Sequence, residues 1–221
     1  MRSKILVSIL IIFMSAATIA GVTMAWFTAQ TEIENTFTAG TVELESDETG
    51  YFKDPIENWN PGDCVEKKFK VVNKGSKKIY LRASFTGEWF EKNEDGEWIP
   101  WDPQNEDGED VNPVEIKVID DMFGSSEKWQ ELDGYFYYYN TSMGPWRPNP
   151  VVDSGGKAYQ TIKVCLDGPT ADNAFQGKRF VLSVKFEAVQ SSNNAVEDVW
   201  GVKWVSGFGG GRWEKVAAGA N

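Results

Sequence analysis

The fold is decided by the stretch FVLSVKFEA at residues 180–188. Every second side chain is apolar from Phe180 to Ala188, and Ser183, Lys185 and Glu187 lie between the apolar ones. A period of two residues is typical of a β-strand that buries one face and exposes the other. The stretch therefore predicts a half-buried antiparallel strand.

Outward from this strand, short alternating runs recur along the chain and are separated by Gly, Pro, Asn and Asp clusters. The runs are residues 26–38, 41–45, 64–73, 79–85, 114–119, 135–139 and 159–166. No long stretch after residue 25 has the three-to-four-residue apolar spacing of a helix. We predict one all-β domain at residues 41–200, an antiparallel β-sandwich of about seven or eight strands.

The N-terminus has the order of a secretory signal peptide, which we predict at residues 1–25. Arg2 and Lys4 precede an apolar run, and Thr23 and Ala25 supply the small side chains that a signal peptidase requires. Cleavage would make Trp26 the first residue of a secreted protein. The alternative is an uncleaved membrane anchor, because the apolar run is just long enough to span a bilayer.

The charge of the chain argues against polyanionic partners. The net charge is −11, and it becomes −13 when Arg2 and Lys4 leave with the signal. Such a field repels nucleic acid and anionic lipid headgroups. We expect no nucleic-acid partner and contact with the membrane only during export.

The chain contains no histidine. This excludes Ser-His-Asp and Cys-His catalysis and every metal site that needs an imidazole ligand. Pairs of carboxylates could still act, as in glycosidases, but no pair is singled out among 33 acidic residues. We expect no enzyme activity, no cofactor and no metal site.

The segment Asn-Glu-Asp-Gly-Glu occurs twice, at residues 93–97 and 105–109, inside an acidic insertion near residues 91–113. Carboxylates beside a turn glycine could bind calcium, but the spacing does not fit an EF-hand loop. Acidic, solvated hairpin tips are the favoured interpretation. Residues 201–221 contain Gly209-Gly210-Gly211, and we predict a flexible Gly-rich C-terminal tail.

The ten tryptophans allow a second function, that of a monomeric carbohydrate-binding module on the cell surface. The candidates for stacking on sugar rings are Trp89, Trp98, Trp101, Trp200, Trp204 and Trp213. Packing in the core or at its ends is the favoured role, because large aromatic side chains contribute most when buried.

Cys64 and Cys165 both lie in the exported part of the chain, where a disulfide can persist. Alternation in the flanking runs puts both on the face opposite the apolar one. A bridge on the outside of a sheet and two free surface thiols both remain open.

Several motifs resemble the TasA and camelysin family of secreted matrix proteins. They are the junction at residues 25–28, NTFTAGTVEL at 35–44, NPGD at 60–63, VVNKGS at 71–76, DGYFYYY at 133–139, FQGK at 175–178 and EAVQSSN at 187–193. The first two, directly after a dedicated signal, are the most specific. The acidic insertion and the segment after Trp200 lie outside the resemblance.

The resemblance implies a jelly-roll sandwich, release by a specialised signal peptidase, and assembly into fibres of a biofilm matrix. Related filament proteins donate an N-terminal strand to the sheet of the next subunit, which predicts a donor strand at residues 26–40 with Trp26, Phe27, Ile33 and Phe37 as contacts. The expected partners are further copies of the chain and accessory matrix or cell-wall components; an accessory or anchoring role is the alternative. Camelysin has been classed as a metalloprotease, but the lack of histidine argues against transferring that activity.

Overall fold

The computed structural model describes residues 28–32, 42–48, 59–104, 107–119, 126–207 and 210–217 of the 221-residue chain. In these ranges the chain forms twelve strands, one α-helix and a short 3-10 turn at Asn173–Phe175. The strands are β1 Thr28–Glu32, β2 Leu44–Glu48, β3 Cys64–Asn73, β4 Ile79–Lys92, β5 Trp98–Pro100, β6 Val114–Ile119, β7 Glu127–Leu132, β8 Tyr135–Asn140, β9 Lys157–Leu166, β10 Arg179–Gln190, β11 Val202–Gly207 and β12 Gly210–Lys215, and the helix is α1 Ala195–Trp200. The predicted signal at residues 1–25 lies outside the described residues.

Two antiparallel sheets make up the body of the protein. The first has the strand order β1-β10-β4-β8-β7, with β5 paired to the end of β4, and the second has the order β2-β3-β9-β6. The prediction of an all-β protein with antiparallel sheets is confirmed, and β3 and β6 have the predicted bounds. The jelly-roll connectivity stays a prediction.

The main core lies between the two sheets. Phe69 and Ile162 of the second sheet form one cluster with Leu81 and Phe186 of the first, and all four are buried. The alternation in β10 produces this arrangement, since Val184, Phe186 and Ala188 point into the cluster. Dispersion contacts and the removal of apolar surface from water hold the sheets together.

The alternation alone predicts that the outer face of the first sheet is exposed to solvent, but part of this face is covered. Glu187 is buried, as is its neighbour Val189, because α1 and the β11–β12 hairpin cover this part of the sheet. Trp213 of β12 packs against Tyr80 and Tyr137 of the sheet with ring centroids 5.1 and 5.4 Å apart.

The predicted flexible tail at residues 201–221 is therefore corrected for the part that the structure describes. Val202 and Trp213 are buried, and β11 and β12 form a hairpin in direct register. The apolar residues of the segment are few, but they are large, and they cover the tyrosines on the outer face of the sheet.

The acidic insertion begins as a hairpin tip. Asn93 and Glu97 join β4 to β5, with the Asn93 N–H donating to the Glu97 carbonyl at 2.9 Å. A second bridge pairs Gln104 with Asp110 further along the insertion. Among the described residues, α1 is the one α-helix, and at six residues it is too short to cross a membrane.

Candidate assembly site at the open edge of strand β10

Strand β10 has a described partner along only part of its outer edge. It pairs with β4 along its whole length on one side, whereas β1 pairs with residues 185–189 on the other. None of the described strands pairs with residues 179–184 on that second side. Within the described part of the chain, this half of β10 is therefore an edge, and such an edge is a template for adding a strand.

Burial on the core-facing side of β10 decreases toward the first residues of the strand. Val184, Phe186 and Ala188 are buried, but Phe180 and Leu182 are only half-buried. The alternating sequence pattern is the same in both halves of the strand.

In the second sheet, part of β3 likewise has no described strand on one side. Strand β2 pairs with β3 only from Phe69 to Asn73, so residues 64–68 of β3 have β9 on one side and none of the described strands on the other. The two uncovered stretches border an open groove, here called the edge groove, with a volume of about 1690 Å³. Its apolar lining includes Trp59, Phe69, Phe180, Leu182 and Val184.

An aromatic cluster forms one end of the edge groove. The Trp89 ring contacts the rings of Phe175, Phe180 and Trp101 at centroid distances of 5.0, 5.2 and 6.1 Å. Trp89 is buried, and its indole Nε1 has no hydrogen-bond partner among the described residues. A buried donor without a partner lowers the stability of the folded protein.

A disulfide lies at the same end of the sandwich. Cys64 of β3 and Cys165 of β9 lie directly opposite each other and are bonded, with a separation of 101 residues along the chain. Cys64 is exposed, so the bridge lies on the outer side of the second sheet. The disulfide links β3 to β9 at the end of β3 that has no described strand on its other side.

The chain that follows the predicted donor strand is anchored at the other end of the sandwich. Val42 is fully buried in the main core, and the backbone N–H of Lys74 donates to the Glu43 carbonyl at 2.8 Å. The Lys74 ammonium lies 2.7 Å from Glu45, and this contact lowers the pKa of the exposed Glu45 carboxyl. The predicted donor residues Trp26, Phe27, Ile33 and Phe37 lie outside the described residues.

The tryptophans do not form one sugar-binding platform. Trp89 and Trp101 belong to the cluster beside the edge groove, and Trp200, Trp204 and Trp213 cover the outer face of the first sheet, at a different place in the molecule. Only Trp98 of the six candidates is more than a third exposed. Within the described ranges, no three acidic or cysteine side chains are grouped as ligands for a metal ion.

Fold and site together define an all-β protein with an incomplete sheet edge. Residues 1–101 match the family model of the camelysin metallo-endopeptidases, a little under half of the chain. This match confirms the resemblance to the TasA and camelysin family that the motifs indicated. A comparison with curated protein sequences found no match.

Solved structures give only distant similarity. A PapD-like domain of human CEP192 is 11% identical over 71% of this chain and 91% of that domain, with a TM-score of 0.29. A family 123 glycoside hydrolase from Clostridium perfringens is 12% identical over 68% of this chain and 28% of the hydrolase, with a TM-score of 0.28. Scores this low support no argument about function.

Proposed function

We propose that this chain is a secreted, non-enzymatic structural protein of an extracellular matrix or cell surface. In this proposal a signal peptidase releases the chain after Ala25, and the mature protein is a jelly-roll subunit of filaments. Residues 26–40 of one copy, here called the N-terminal arm, include β1; in the filament they leave the β10 of their own copy and pair with β10 of the next copy. Support comes from the family match, since the resemblance implies secreted fibre proteins.

The observation that carries the proposal is the edge of β10 that no described strand covers. Six residues, 179–184, continue the strand beyond its pairing with β1. A strand from another copy could pair along the whole edge, adding backbone hydrogen bonds and covering Phe180 and Leu182. Large apolar residues of the arm, such as Phe37, suit that half-buried lining.

The positions of arm and groove favour an open polymer. Val42, where the arm joins the sandwich, lies near Asn73 at one end of β3, and the edge groove lies beside Cys64 at the other end. Fifteen extended residues reach about 50 Å, enough to cross to a neighbouring copy. A contact between unlike ends repeats from copy to copy, and it builds a filament unless it closes into a ring.

The family description points toward a metallo-endopeptidase. Zinc sites that activate water in proteases are built largely from histidine, and this chain has none. A structural role is therefore the function we propose, and peptidase activity is not part of it.

Electron microscopy of purified mature chain tests the proposal. The chain from Trp26 should form filaments at high concentration and mildly acidic pH, where partial neutralisation weakens repulsion between copies. A chain that begins at Ala39 should form none. The double variant Ile33→Ser with Phe37→Ser should also fail, whereas the matched control Thr36→Ser should assemble normally.

A synthetic peptide of residues 26–40 gives an independent readout. It should bind the chain that begins at Ala39 and should stop filament growth when added to the mature chain. Absence of filaments from the intact mature chain, together with absence of peptide binding, would overturn the proposal. Binding of polysaccharide by a strictly monomeric chain would then favour the carbohydrate-binding alternative, and its absence an accessory or anchoring role.

A further inference from the structure

Large apolar side chains are exposed in pairs at two separate places on the described surface. Met143 and Trp146, in the loop between β8 and β9, are 74% and 71% exposed. Trp98 and Ile99 of β5 are 38% and 39% exposed. We call these the loop patch and the β5 patch.

The two patches lie at opposite ends of the first sheet. Strand β4 begins at Ile79, and the chain that closes the loop, at Val152, pairs with this residue. Strand β4 ends at Lys92, which pairs with Trp98. Thirteen residue steps of strand separate these ends, a contour of about 40 Å.

The loop patch is held in a defined shape. Asn140 and Asn149 close its base with two backbone hydrogen bonds of 2.7 Å. Within the loop, the Gly144 N–H donates to the Thr141 carbonyl at 2.8 Å, and the Arg147 N–H donates to the Gly144 carbonyl at 3.1 Å. Internal hydrogen bonds lower the entropy cost of binding through Trp146, because less order has to be created in the complex.

The β5 patch has charged neighbours of both signs. Lys92 and Arg179 lie over the Trp98 ring, at 5.2 and 5.7 Å from its centre. The hairpin tip beside the patch carries Glu94, Asp95 and Glu97, all exposed. Arg147, exposed next to Trp146 in the loop patch, is therefore opposite in charge to the hairpin tip.

We propose that the loop patch of one copy docks on the β5 patch of the next copy, with Trp146 packed against Trp98 and Ile99 and Arg147 paired with the acidic tip. This inference rests on the proposed function, because strand donation from the Val42 end to the edge groove brings the same two ends together. The acidic insertion then has a role as one half of a subunit contact. A single tryptophan at the centre of a contact commonly contributes a large share of its free energy.

Substitutions that leave the arm intact test the contact in the mature chain. Trp146→Ser and Arg147→Glu should each raise the critical concentration for filament growth roughly tenfold. Val199→Ser is the matched control, because Val199 is 39% exposed on α1 and belongs to neither patch. It should leave the critical concentration unchanged.

Charge reversal tests the pairing more sharply. Chains with Arg147→Glu should regain assembly when Glu94→Lys and Asp95→Lys are added, whereas the lysine pair alone should assemble poorly. Recovery supports a direct contact, and loss without recovery overturns the pairing.

Cross-linking separates this inference from the proposed function. A photoreactive phenylalanine at position 146 should cross-link to the peptide that contains Trp98 of another copy. If filaments form but Trp146→Ser assembles normally and the cross-link falls elsewhere, the contact is wrong and strand donation stands. If the mature chain stays monomeric and no cross-link between copies forms, both proposals are wrong. Binding of a polysaccharide at Trp146 in place of another copy would also overturn the contact.

Discussion

Arg82 of β4 and Glu187 of β10 lie directly opposite each other and form an ion pair beneath the C-terminal segment. The Arg82 Nε donates to Glu187 Oε2 at 2.6 Å, and both side chains are largely buried. The guanidinium also lies 3.7 Å from the centre of the Tyr135 ring and 4.5 Å from that of Trp200. The pair thus joins the sheet to α1.

Replacing Glu187 with Ala should destabilise the protein strongly. The substitution leaves the Arg82 charge buried without its partner, which typically costs about 3–5 kcal/mol. Urea unfolding followed by tryptophan fluorescence measures the loss. Glu115→Ala is the control, since the exposed pair of Glu115 with Lys117 should contribute less than about 1 kcal/mol.

The protein should lose stability in alkaline solution as Tyr138 begins to ionise in the unfolded chain. Burial raises the pKa of Tyr138 from 10.0 to about 12, so the folded protein keeps this proton after the unfolded chain has released it. The resulting loss begins above pH 10 and reaches about 2–3 kcal/mol near pH 12. Tyr138→Phe should flatten this part of a plot of unfolding free energy against pH, and an unchanged slope in that variant would contradict the assignment.

Trp213→Ala should show that the C-terminal hairpin is part of the folded body. The indole is buried against Tyr80 and Tyr137, and its Nε1 donates to the Tyr138 carbonyl at 3.1 Å. Removing a buried tryptophan costs about 3–5 kcal/mol. In the same denaturation experiment, Trp146→Ala should change monomer stability by less than about 0.5 kcal/mol, because that side chain is exposed.

The double variant Cys64→Ser with Cys165→Ser should unfold at lower urea concentration. The bridge closes a loop of about one hundred residues, and its removal should lower the free energy of unfolding by about 2–4 kcal/mol. Adding a reductant should lower the stability of the parent chain by a similar amount. Reductant should not affect the double variant; a further loss there would mean that the bridge does not account for the effect.

Gly87→Ala should disturb the wall of the edge groove. A Cβ at this position would meet the Phe180 ring at 2.1 Å, so the ring would have to move. We expect a loss of about 1–3 kcal/mol, as for other overpacked sites. Gly168→Ala is the control, because its nearest neighbour would be 3.6 Å away, an ordinary contact.

The strands that were predictable are those with an unbroken alternation of side chains. Strand β9 buries every second residue along its whole length, and Val184, Phe186 and Ala188 of β10 are buried in the same alternation on the core-facing side; this pattern was readable without knowledge of the neighbouring strands. Strand β4 runs to Lys92, whereas the prediction ended at Phe85. The prediction stopped early because Gly87 interrupts the apolar pattern. The backbone at Gly87 is covered instead by the Phe180 ring, a contact between distant residues that local sequence does not report.

Two missed elements have few apolar residues. Strand β7 has the sequence EKWQEL and lies at a sheet edge, where Trp129 provides the main apolar contact. In β12, Gly211 was interpreted as part of a linker, but a Cβ there would lie 2.2 Å from the Trp204 ring. Here the glycine permits close packing, whereas in a flexible tail it would add conformational freedom.

Of the two surfaces in the proposed contact, only the N-terminal arm could be predicted from the sequence. The apolar arm was visible in the sequence, and its contact residues Trp26, Phe27, Ile33 and Phe37 stay a prediction. The pairing of β1 with β10 was not visible, because a contact between segments so far apart along the chain leaves no mark in the β10 sequence.

In the proposed filament, β1 makes each copy a competitor of its own assembly, because it is part of the N-terminal arm and pairs with β10 of the same copy. An intramolecular strand acts at an effective concentration of about millimolar, far above that of a free partner. An incoming arm therefore has to offer more than the five pairs that β1 already makes with β10. In that proposal the surplus would come from positions 179–184, which no described strand pairs with on this side, and its size would set the concentration at which exchange between copies becomes favourable.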